Sequence, residues 1–245
     1  MNKGAIDSAL YAEWLRFMVD VHGYFENDPR IAYQFEFIMA LSASLSAESL
    51  VIDVGAGQCE LKHFFPGARY MGVDLGIGDA NWDYSKLAIC CDVQRLPIAN
   101  AVADAALSLW VMEHLTQPIK MVKEMHRILK PGGKVLAFVP FVIHEHQSPH
   151  DFYRYTRYGV KYMFEEAGFT DIELSADSSP EFAMGYEAHK WLLKLAKRLT
   201  MSPSQRDVVN SAIGITQSLM FAVAEQFPTR TGDFALSWVC KAVKR

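Results

Sequence analysis

Three histidines lie close together in a polar segment of the second half of the chain: His144, His146 and His150. A neutral imidazole accepts a proton near pH 7 and can therefore act as a general base. We predict that one of the three is a catalytic base, and that Arg154 orients a polar or anionic group of the substrate. The predicted substrate-binding residues of this segment are Asp151, Tyr153, Arg154 and Tyr155.

The same segment has a second interpretation. The three histidines and Asp151 could together bind a divalent metal ion, because imidazole and carboxylate groups suit several such ions. The residue types do not by themselves decide between a base and a metal ligand.

A glycine-rich turn in the first half of the chain is typical of a nucleotide-binding site. Gly55 and Gly57 follow a buried apolar run, and residues without a Cβ let the backbone pass close to a ligand. We expect a helix after the turn, whose first N–H groups would face an anionic group. The next apolar run ends in Asp74, a carboxylate suited to ribose hydroxyls. Glu60 stands where a dinucleotide site requires a third glycine, which argues against a pyrophosphate ligand.

Short apolar runs alternate with amphipathic helices from Leu50 onward, which predicts a parallel sheet with right-handed crossovers. A Pro/Gly exit at 130–133 ends one helix, and another helix runs from Thr156 to Gly168. The N-terminal residues from Ile6 to Ser46 are expected to form two helices that pack on the sheet, with a substrate lid as the alternative. The predicted strands are Leu50–Val54, Arg69–Leu75, Leu87–Val93, Ala103–Leu109, Lys134–Pro140, Asp171–Ser175 and Ala235–Val243.

The sequence therefore predicts one domain over residues 1–245. Its parts are an N-terminal helical cap (1–46), a cofactor-binding core (50–176), a helical insertion (180–230) and a last strand (235–243). The insertion is expected to hold helices at about Glu187–Leu199 and Pro203–Phe227, the second opened by a capping box of Ser202 and Gln205.

A series of motifs in unbroken order resembles the class I S-adenosylmethionine-dependent methyltransferases of the small-molecule type. The series runs from about Leu50 to Phe169 and consists of Asp53-Val-Gly55-Ala-Gly57, Gly72-Val-Asp74, Cys91-Asp92-Val93 with Leu96-Pro97, Ala103-Asp104-Ala105, Met112-Glu113-His114, and Glu124 followed by Arg127-Ile-Leu-Lys130-Pro131-Gly132-Gly133. The resemblance implies a doubly wound α/β fold with a mostly parallel, seven-stranded, Rossmann-like sheet whose last strand is antiparallel.

The resemblance also implies S-adenosyl-L-methionine as the cofactor. It places methionine contacts near Gly55 and Gly57, a ribose contact at Asp74, and adenine contacts around Leu75, Asp92 and Val93. Cys59 stands where the family often has a third glycine. The full set of predicted cofactor residues is Asp53, Gly55, Ala56, Gly57, Asp74, Leu75, Asp92, Val93 and Leu109, and Trp110 and His114 after the fourth strand join the predicted substrate-binding residues.

We accordingly predict an enzyme that methylates a small molecule or a glycan, at oxygen, with a loop histidine as base. Methylation at nitrogen or carbon of a secondary metabolite is the alternative, and a binding protein that keeps the fold without catalysis is a rival. No metal site is predicted, because metal-dependent relatives typically carry an acid just after the fourth strand, where this chain has Ser108-Leu109-Trp110.

Composition bears on partners and location. The formal net charge of -4 argues against a nucleic-acid substrate, because there is no global basic field. The four cysteines form no C-x-x-C pair, so we expect free thiols and a cytoplasmic protein. The basic helix 189–199 is expected to pack on its neighbour, with a homodimer face next and membrane-surface contact third. Residues 208–223 are too interrupted by polar side chains to predict a bilayer span.

Overall fold

The computed structural model describes residues 8–21, 23–78, 81–226 and 232–245. Its seven strands form one sheet in the order β3-β2-β1-β4-β5-β7-β6, in which β1 to β5 pair in parallel and β7 lies antiparallel between β5 and β6. This confirms the predicted doubly wound α/β fold. The strands are β1 (Leu50–Val54), β2 (Arg69–Asp74), β3 (Ile89–Cys90), β4 (Ala103–Leu109), β5 (Leu129–Pro140), β6 (Phe169–Ala176) and β7 (Ser237–Lys244).

Helices cover both faces of the sheet, which is why the central strands are apolar on both sides. In β1, Val51 packs in the cluster formed with the N-terminal helices, whereas Ile52 and Val54 pack in the cluster formed with the helices that follow β4 and β5. The first group is α1 (Ser8–Arg16), a π-helical segment (Phe17–Val21) and α2 (Pro29–Ala43); the second is α3 (Pro118–Ile128) and α4 (Arg157–Glu166).

Two predictions of local structure are wrong. The third strand is only Ile89–Cys90 rather than Leu87–Val93, because it is an edge strand that pairs with β2 alone. The segment after the glycine turn is a five-residue 3₁₀ helix, Glu60–Phe64, entered through a left-handed residue at Cys59. So short a helix has no extended N-terminus, and the expected anion site at a helix start is therefore not formed there.

A buried ion network attaches the N-terminal helices to the rest of the protein. Arg30 is fully buried, and its guanidinium lies 2.6 Å from Asp28 and 4.0 Å from Asp177. The same guanidinium stacks over the rings of Tyr24, at 3.9 Å, and Tyr186, at 4.5 Å. Residues from two distant parts of the chain, 24–30 and 177–186, thus meet around one cation.

Two long helices, α5 (Pro180–Arg198) and α6 (Pro203–Gln226), stand between β6 and β7 and pack against each other. The predicted capping box opens α6, since the Ser202 N–H donates to Gln205 Oε1 at 3.0 Å. Within α6, the stretch Pro203–Ala224 has the length and composition of a bilayer span, and only 6% of it is buried. By length and composition, the prediction that residues 208–223 are too interrupted by polar side chains for a bilayer span is therefore wrong. Val208, Ile215 and Leu219 are exposed along one stripe of the helix.

Candidate active site

A cavity of about 590 Å³ opens at the carboxyl ends of β1, β2, β4 and β5, the edge where open α/β sheets bind ligands. Residues from distant segments line it, including both the glycine turn after β1 and the histidine segment after β5. All the predicted cofactor residues are among the lining residues: Asp53, Gly55, Ala56, Gly57, Asp74, Leu75, Asp92, Val93 and Leu109.

The glycine turn is built so closely that side chains would not fit. Gly55 has φ +84°, and a Cβ added there would lie 2.6 Å from Val111 Cγ1. Gly57 has φ +51°, and a Cβ there would lie 3.1 Å from the ring of Trp82. Both positions therefore require glycine, for backbone conformation and for space.

Asp74 closes the turn from the neighbouring strand. Its two carboxylate oxygens accept main-chain N–H groups, from Gly57 at 3.0 Å and from Gly76 at 2.7 Å. Each oxygen of an ionised carboxylate has a further lone pair. Asp74 is thus held in one position and can still accept hydrogen bonds from a diol in the cavity.

Asp53 is a buried acid at the end of β1. The hydroxyl of Tyr70 donates a short hydrogen bond to it. Burial raises the pKa of Asp53 to about 7, the Tyr70 hydrogen bond opposes this rise, and Asp74 adds to it. Near neutral pH this carboxyl is therefore poised between its two states, and a cation in the cavity would favour the ionised one.

The three predicted catalytic histidines all line the cavity, together with Trp110 and His114. Their environments differ. The Nδ1 of His144 lies 3.3 Å from Glu187 on α5, which forms a histidine–carboxylate pair. The Nδ1 of His146 lies 3.2 Å from the carbonyl oxygen of His144. Within the described part of the chain, the His150 ring makes no hydrogen bond or ion pair. The main-chain oxygen of His150 lies 2.5 Å from His114 Nδ1.

Four predicted substrate residues do not line the cavity: Asp151, Tyr153, Arg154 and Tyr155. Arg154 donates to both oxygens of Asp151, at 2.6 and 2.7 Å, and to the carbonyls of Ile143, His144 and Tyr153. The prediction that Arg154 orients a substrate group gains no support from this geometry, because its donors already fix the histidine segment. Burial raises the pKa of Asp151, but the hydrogen bonds from Arg154 and from the His146 main chain outweigh this effect and hold the pKa at about 2.

The two tyrosines of this group are also used internally. The hydroxyl of Tyr155 is buried and donates to the Met112 carbonyl at 2.8 Å, while that of Tyr153 donates to the Thr116 carbonyl at 3.1 Å. Both bonds tie the segment after β5 to the segment after β4. Tyr153 and Tyr155 therefore support the cavity wall through these bonds and do not line the cavity.

Glu113 lies between two histidines and is fully buried. Its Oε1 is 3.8 Å from Nε2 of His114 and 3.8 Å from Nε2 of His146. Burial raises the pKa of Glu113 to about 8 and lowers the pKa of both histidines. Three potential ligand groups thus meet at one wall of the cavity, with their donor atoms within 4.8 Å of one another.

Comparison with known proteins supplies the family. Residues 52–137 match the family model described as "Methyltransferase domain". This stretch of the chain is therefore similar to a methyltransferase domain. A malonyl-[acyl-carrier protein] O-methyltransferase of Hahella chejuensis is 33% identical over 107 residues, which cover 38% of this chain and 38% of that protein. A tRNA (carboxymethyluridine(34)-5-O)-methyltransferase of Arabidopsis thaliana is 29% identical over 107 residues, which cover 42% of this chain and 26% of that protein.

Among solved structures, phosphoethanolamine N-methyltransferase 2 of Haemonchus contortus, in complex with S-adenosylhomocysteine and a methylated phosphoethanolamine, has a TM-score of 0.53 at 20% identity over 86% of this chain and 52% of its own. At that identity the likeness shows the fold alone. The chain spans well under half the length of the two curated relatives. The resemblance to class I methyltransferases is confirmed, while the acceptor is not identified by these matches.

Several residues around the methyltransferase domain's cavity were missed by sequence reasoning. Trp82 packs over Gly57 from a segment without regular structure, and only an aromatic residue among polar neighbours could have indicated it. Tyr186 and Lys190 line the cavity from α5, far along the chain, where no local signal exists. Glu113 was noted as part of a motif, yet its burial became evident only from the fold.

Proposed function

We propose that this chain transfers a methyl group from S-adenosyl-L-methionine to the oxygen of a small molecule or a glycan. One observation carries the proposal: the nine residues expected to hold the cofactor line a single cavity, whose other wall is the histidine segment. Methyl transfer requires donor and acceptor to be held next to each other without intervening water, and positioning alone contributes about 7–11 kcal/mol.

The residues present fit the cofactor. A cavity of about 590 Å³ lies within the usual range of about 300–1,000 Å³ for small-molecule sites. The fixed carboxylate of Asp74 suits the ribose diol, and the close approach of backbone at Gly57 leaves room for the amino-acid end. Asp53, whose pKa is about 7, would be held in its ionised form by a cationic group nearby.

His144 is the residue we assign as base. A hydroxyl acceptor must lose its proton, and the His144–Glu187 pair has the form of a base oriented by a carboxylate. When bound, S-adenosylmethionine supplies a methyl on a positively charged sulfur, which passes to the acceptor oxygen with release of S-adenosylhomocysteine and a proton. His144 takes that proton, and Glu187 stabilises the resulting imidazolium.

Calorimetric titration tests the first half of the proposal. We expect S-adenosylhomocysteine to bind to the wild-type chain and NAD not to bind, since Glu60 stands where a pyrophosphate site needs glycine. Asp74→Ala should weaken binding of S-adenosylhomocysteine, and Gly67→Ala, which does not line the cavity, should not. Failure of the wild-type chain to bind S-adenosylhomocysteine would overturn the cofactor assignment.

Turnover tests the second half. The acceptor is sought with a panel of phenols, sugars, carboxylic acids and amines, with release of S-adenosylhomocysteine as the readout. With the acceptor found, His144→Gln should lower kcat by about 10²–10⁴-fold at unchanged affinity for S-adenosylhomocysteine. Glu187→Gln should shift the pH profile of kcat/KM. Full activity of His144→Gln would remove His144 as base.

The panel includes tRNA, because one relative is named as a tRNA methyltransferase and net charge alone supports the prediction against nucleic acid. Methylation of tRNA but of none of the small molecules would refute the acceptor class proposed here. Turnover on an amine only would favour the nitrogen alternative. Cofactor binding without any turnover would support the rival of a non-catalytic binding protein. We also propose a cytoplasmic location, which the four free cysteines support.

We further propose that α6 docks on an anionic lipid surface. Its stripe of Val208, Ile215 and Leu219 is exposed, which is unusual for large apolar side chains along one helix face. Lys194 and Lys197 are exposed in the last turns of α5, just before α6 begins. An exposed apolar stripe on one helix and exposed lysines at the end of the preceding helix are features of interfacial segments, which favours anionic lipid over a second copy of the chain.

Vesicle cosedimentation tests this docking surface. The protein should sediment with phosphatidylglycerol vesicles, and Ile215→Asp should abolish binding while S-adenosylhomocysteine affinity is unchanged. Substitution of Thr216, which is half-buried beside the stripe, by Ser is the matched control and should bind as wild type. A dimer in light scattering that Ile215→Asp dissociates, without lipid binding, would instead assign the stripe to a homodimer interface.

A further inference from the structure

The inference concerns the wall of the cavity formed by Glu113, His114 and His146. Glu113 and His114 belong to a short 3₁₀ helix, Met112–His114, just after β4, and His146 comes from the segment after β5. Two loops that are distant in sequence therefore bring three side chains with metal-binding donor atoms to one place. These donor atoms lie within 4.8 Å of one another.

Hydrogen bonds at the far side of each ring determine which nitrogen faces Glu113 with a lone pair. A carbonyl oxygen only accepts, so the Nδ1 of His114, 2.5 Å from the His150 carbonyl, carries a proton. The Nδ1 of His146 is likewise 3.2 Å from the His144 carbonyl and 3.6 Å from Asp151. In the neutral rings both Nε2 atoms are therefore unprotonated, and both point to the same carboxylate oxygen.

Arg154 does not alter this assignment. Its Nη2 lies 3.4 Å from His146 Nδ1, but the two protons of Nη2 are directed to the His144 carbonyl at 2.9 Å and to Asp151 at 2.7 Å. Nδ1 of His146 therefore accepts no hydrogen bond from Arg154, and it carries a proton of its own. Main-chain carbonyls that fix Nδ1–H are the usual outer partners of metal-binding histidines.

Glu113 supplies an independent indication. It is fully buried, and neither carboxylate oxygen accepts a hydrogen bond from another residue in the described part of the chain. Arg154 is a cation whose charge acts on Glu113, but Asp151 already pairs with it at 2.6 Å. A buried carboxylate in this position needs either a proton or a cation among the facing groups.

We propose that Glu113, His114 and His146 bind one divalent first-row transition metal ion at the acceptor end of the cavity. Ligands around one zinc ion at about 2.0–2.2 Å stand roughly 3–3.5 Å apart, so the three side chains, 3.8 Å apart at Glu113 Oε1 and within 4.8 Å overall, have to rotate inward to bind it. Two histidines and one glutamate leave a coordination position open, the arrangement of catalytic rather than structural sites. All three residues line the cavity, so that position faces the acceptor.

The ion deepens the proposed function and rests on it for its role. A hydroxyl oxygen bound to a divalent cation loses its proton far more readily than a free one. His144, which the cation site does not use, would then take this proton. The site also fixes the acceptor class more narrowly, as molecules with an oxygen able to coordinate a metal.

The test is a metal titration of the tag-free full chain after treatment with chelator. Cobalt(II) is added, and visible absorption reports its coordination sphere, with competition by zinc(II) as a second readout. We expect one equivalent to bind with bands typical of nitrogen and oxygen ligands. Glu113→Gln and His146→Gln should each weaken binding by at least about tenfold, since loss of outer partners alone costs about that much.

His150→Gln is the matched control, because this histidine lines the same cavity outside the cluster, and it should bind cobalt as wild type does. Far-UV circular dichroism and S-adenosylhomocysteine titration report whether each variant is folded. No uptake by the wild-type chain, or uptake unchanged in Glu113→Gln and His146→Gln, would overturn the inference. Cobalt binding and S-adenosylhomocysteine binding are measured separately. A chain that binds S-adenosylhomocysteine but no cobalt would refute the metal site alone, and a chain that binds cobalt but no S-adenosylhomocysteine would refute the methyltransferase proposal alone.

Discussion

Substitution of Gly55 by alanine probes the construction of the glycine turn. The backbone at Gly55 has φ +84°, a conformation that costs a residue with a Cβ roughly 1–2 kcal/mol. The added Cβ would also stand 2.6 Å from Val111 Cγ1 and 3.0 Å from Val111 Cβ. A valine side chain is stiff about χ1 and cannot simply turn away, so overpacking adds about 1–3 kcal/mol.

Gly55→Ala should therefore lower the free energy of unfolding by about 2–5 kcal/mol, measured by urea denaturation in the absence of cofactor. Gly67→Ala is the matched control, because Gly67 has no positive φ and no heavy atom within 4 Å of an added Cβ. Affinity for S-adenosylhomocysteine should fall in Gly55→Ala, because the turn has to move to accommodate the methyl group.

A double-mutant cycle separates the two causes. Val111→Ala removes both Cγ atoms, so the Gly55→Ala/Val111→Ala protein should show a favourable coupling of about 1–3 kcal/mol, while the backbone cost remains. If Gly55→Ala unfolds at the same urea concentration as Gly67→Ala, neither the strain nor the close packing at this turn is real.

Three further predictions concern buried charges. The pKa of Asp53 is about 7 in the folded chain, whereas its ordinary value is 3.8, so between these pH values the folded state binds a proton that the unfolded state lacks. The free energy of unfolding should therefore fall as pH rises from about 4 to 7. Asp53→Asn should reduce that slope by up to about 1.4 kcal/mol per pH unit, measured by urea denaturation. Arg30→Met leaves Asp28 and Asp177 buried without their cation and should cost about 3–5 kcal/mol of unfolding free energy, whereas Lys161→Met, at an exposed ion pair, should change little. Arg154→Lys loses the paired bonds to Asp151, so hydrogen exchange over residues 144–155 should accelerate, and unchanged protection would refute its bracing role.

The fold and the cofactor end of the site could be predicted because both depend on local sequence. Strands β1 and β4 are buried on both faces, so each is a mostly apolar run that ends in a recognisable turn. Gly55 and Gly57 are needed for their own backbone conformation, and Asp74 lies at the end of the adjacent strand. Each of these features can be recognised in the local sequence, although Val111 and Trp82 also limit the space at the two glycines.

The acceptor end could be predicted only in part, because pairing between distant residues decides each role. His144, His146 and His150 are alike in sequence, yet only His144 meets Glu187, 43 residues further on. Arg154 has the residue type of a substrate-binding group, but the carbonyls and the carboxylate around it use its donors. The length of β3 was predicted wrongly for a related reason. This strand lies at the edge of the sheet and pairs with one neighbour, so only part of the apolar run 87–93 forms a strand.

The histidine-lined part of the cavity, the proposed acceptor site, is built largely outside the segment that matches the family. Residues 52–137 supply the glycine turn, Asp74, and the pair Glu113 and His114. The remaining wall comes from the histidine segment after β5 and from α5, and Phe17 and Tyr24 of the N-terminal segment add to it. Since the buried Arg30 joins that N-terminal segment to α5 through Tyr24 and Tyr186, the two outer parts form one structural unit beside the proposed acceptor site. Relatives that share only the matched core can thus share the cofactor and differ in the acceptor, because none of this unit is fixed by the core.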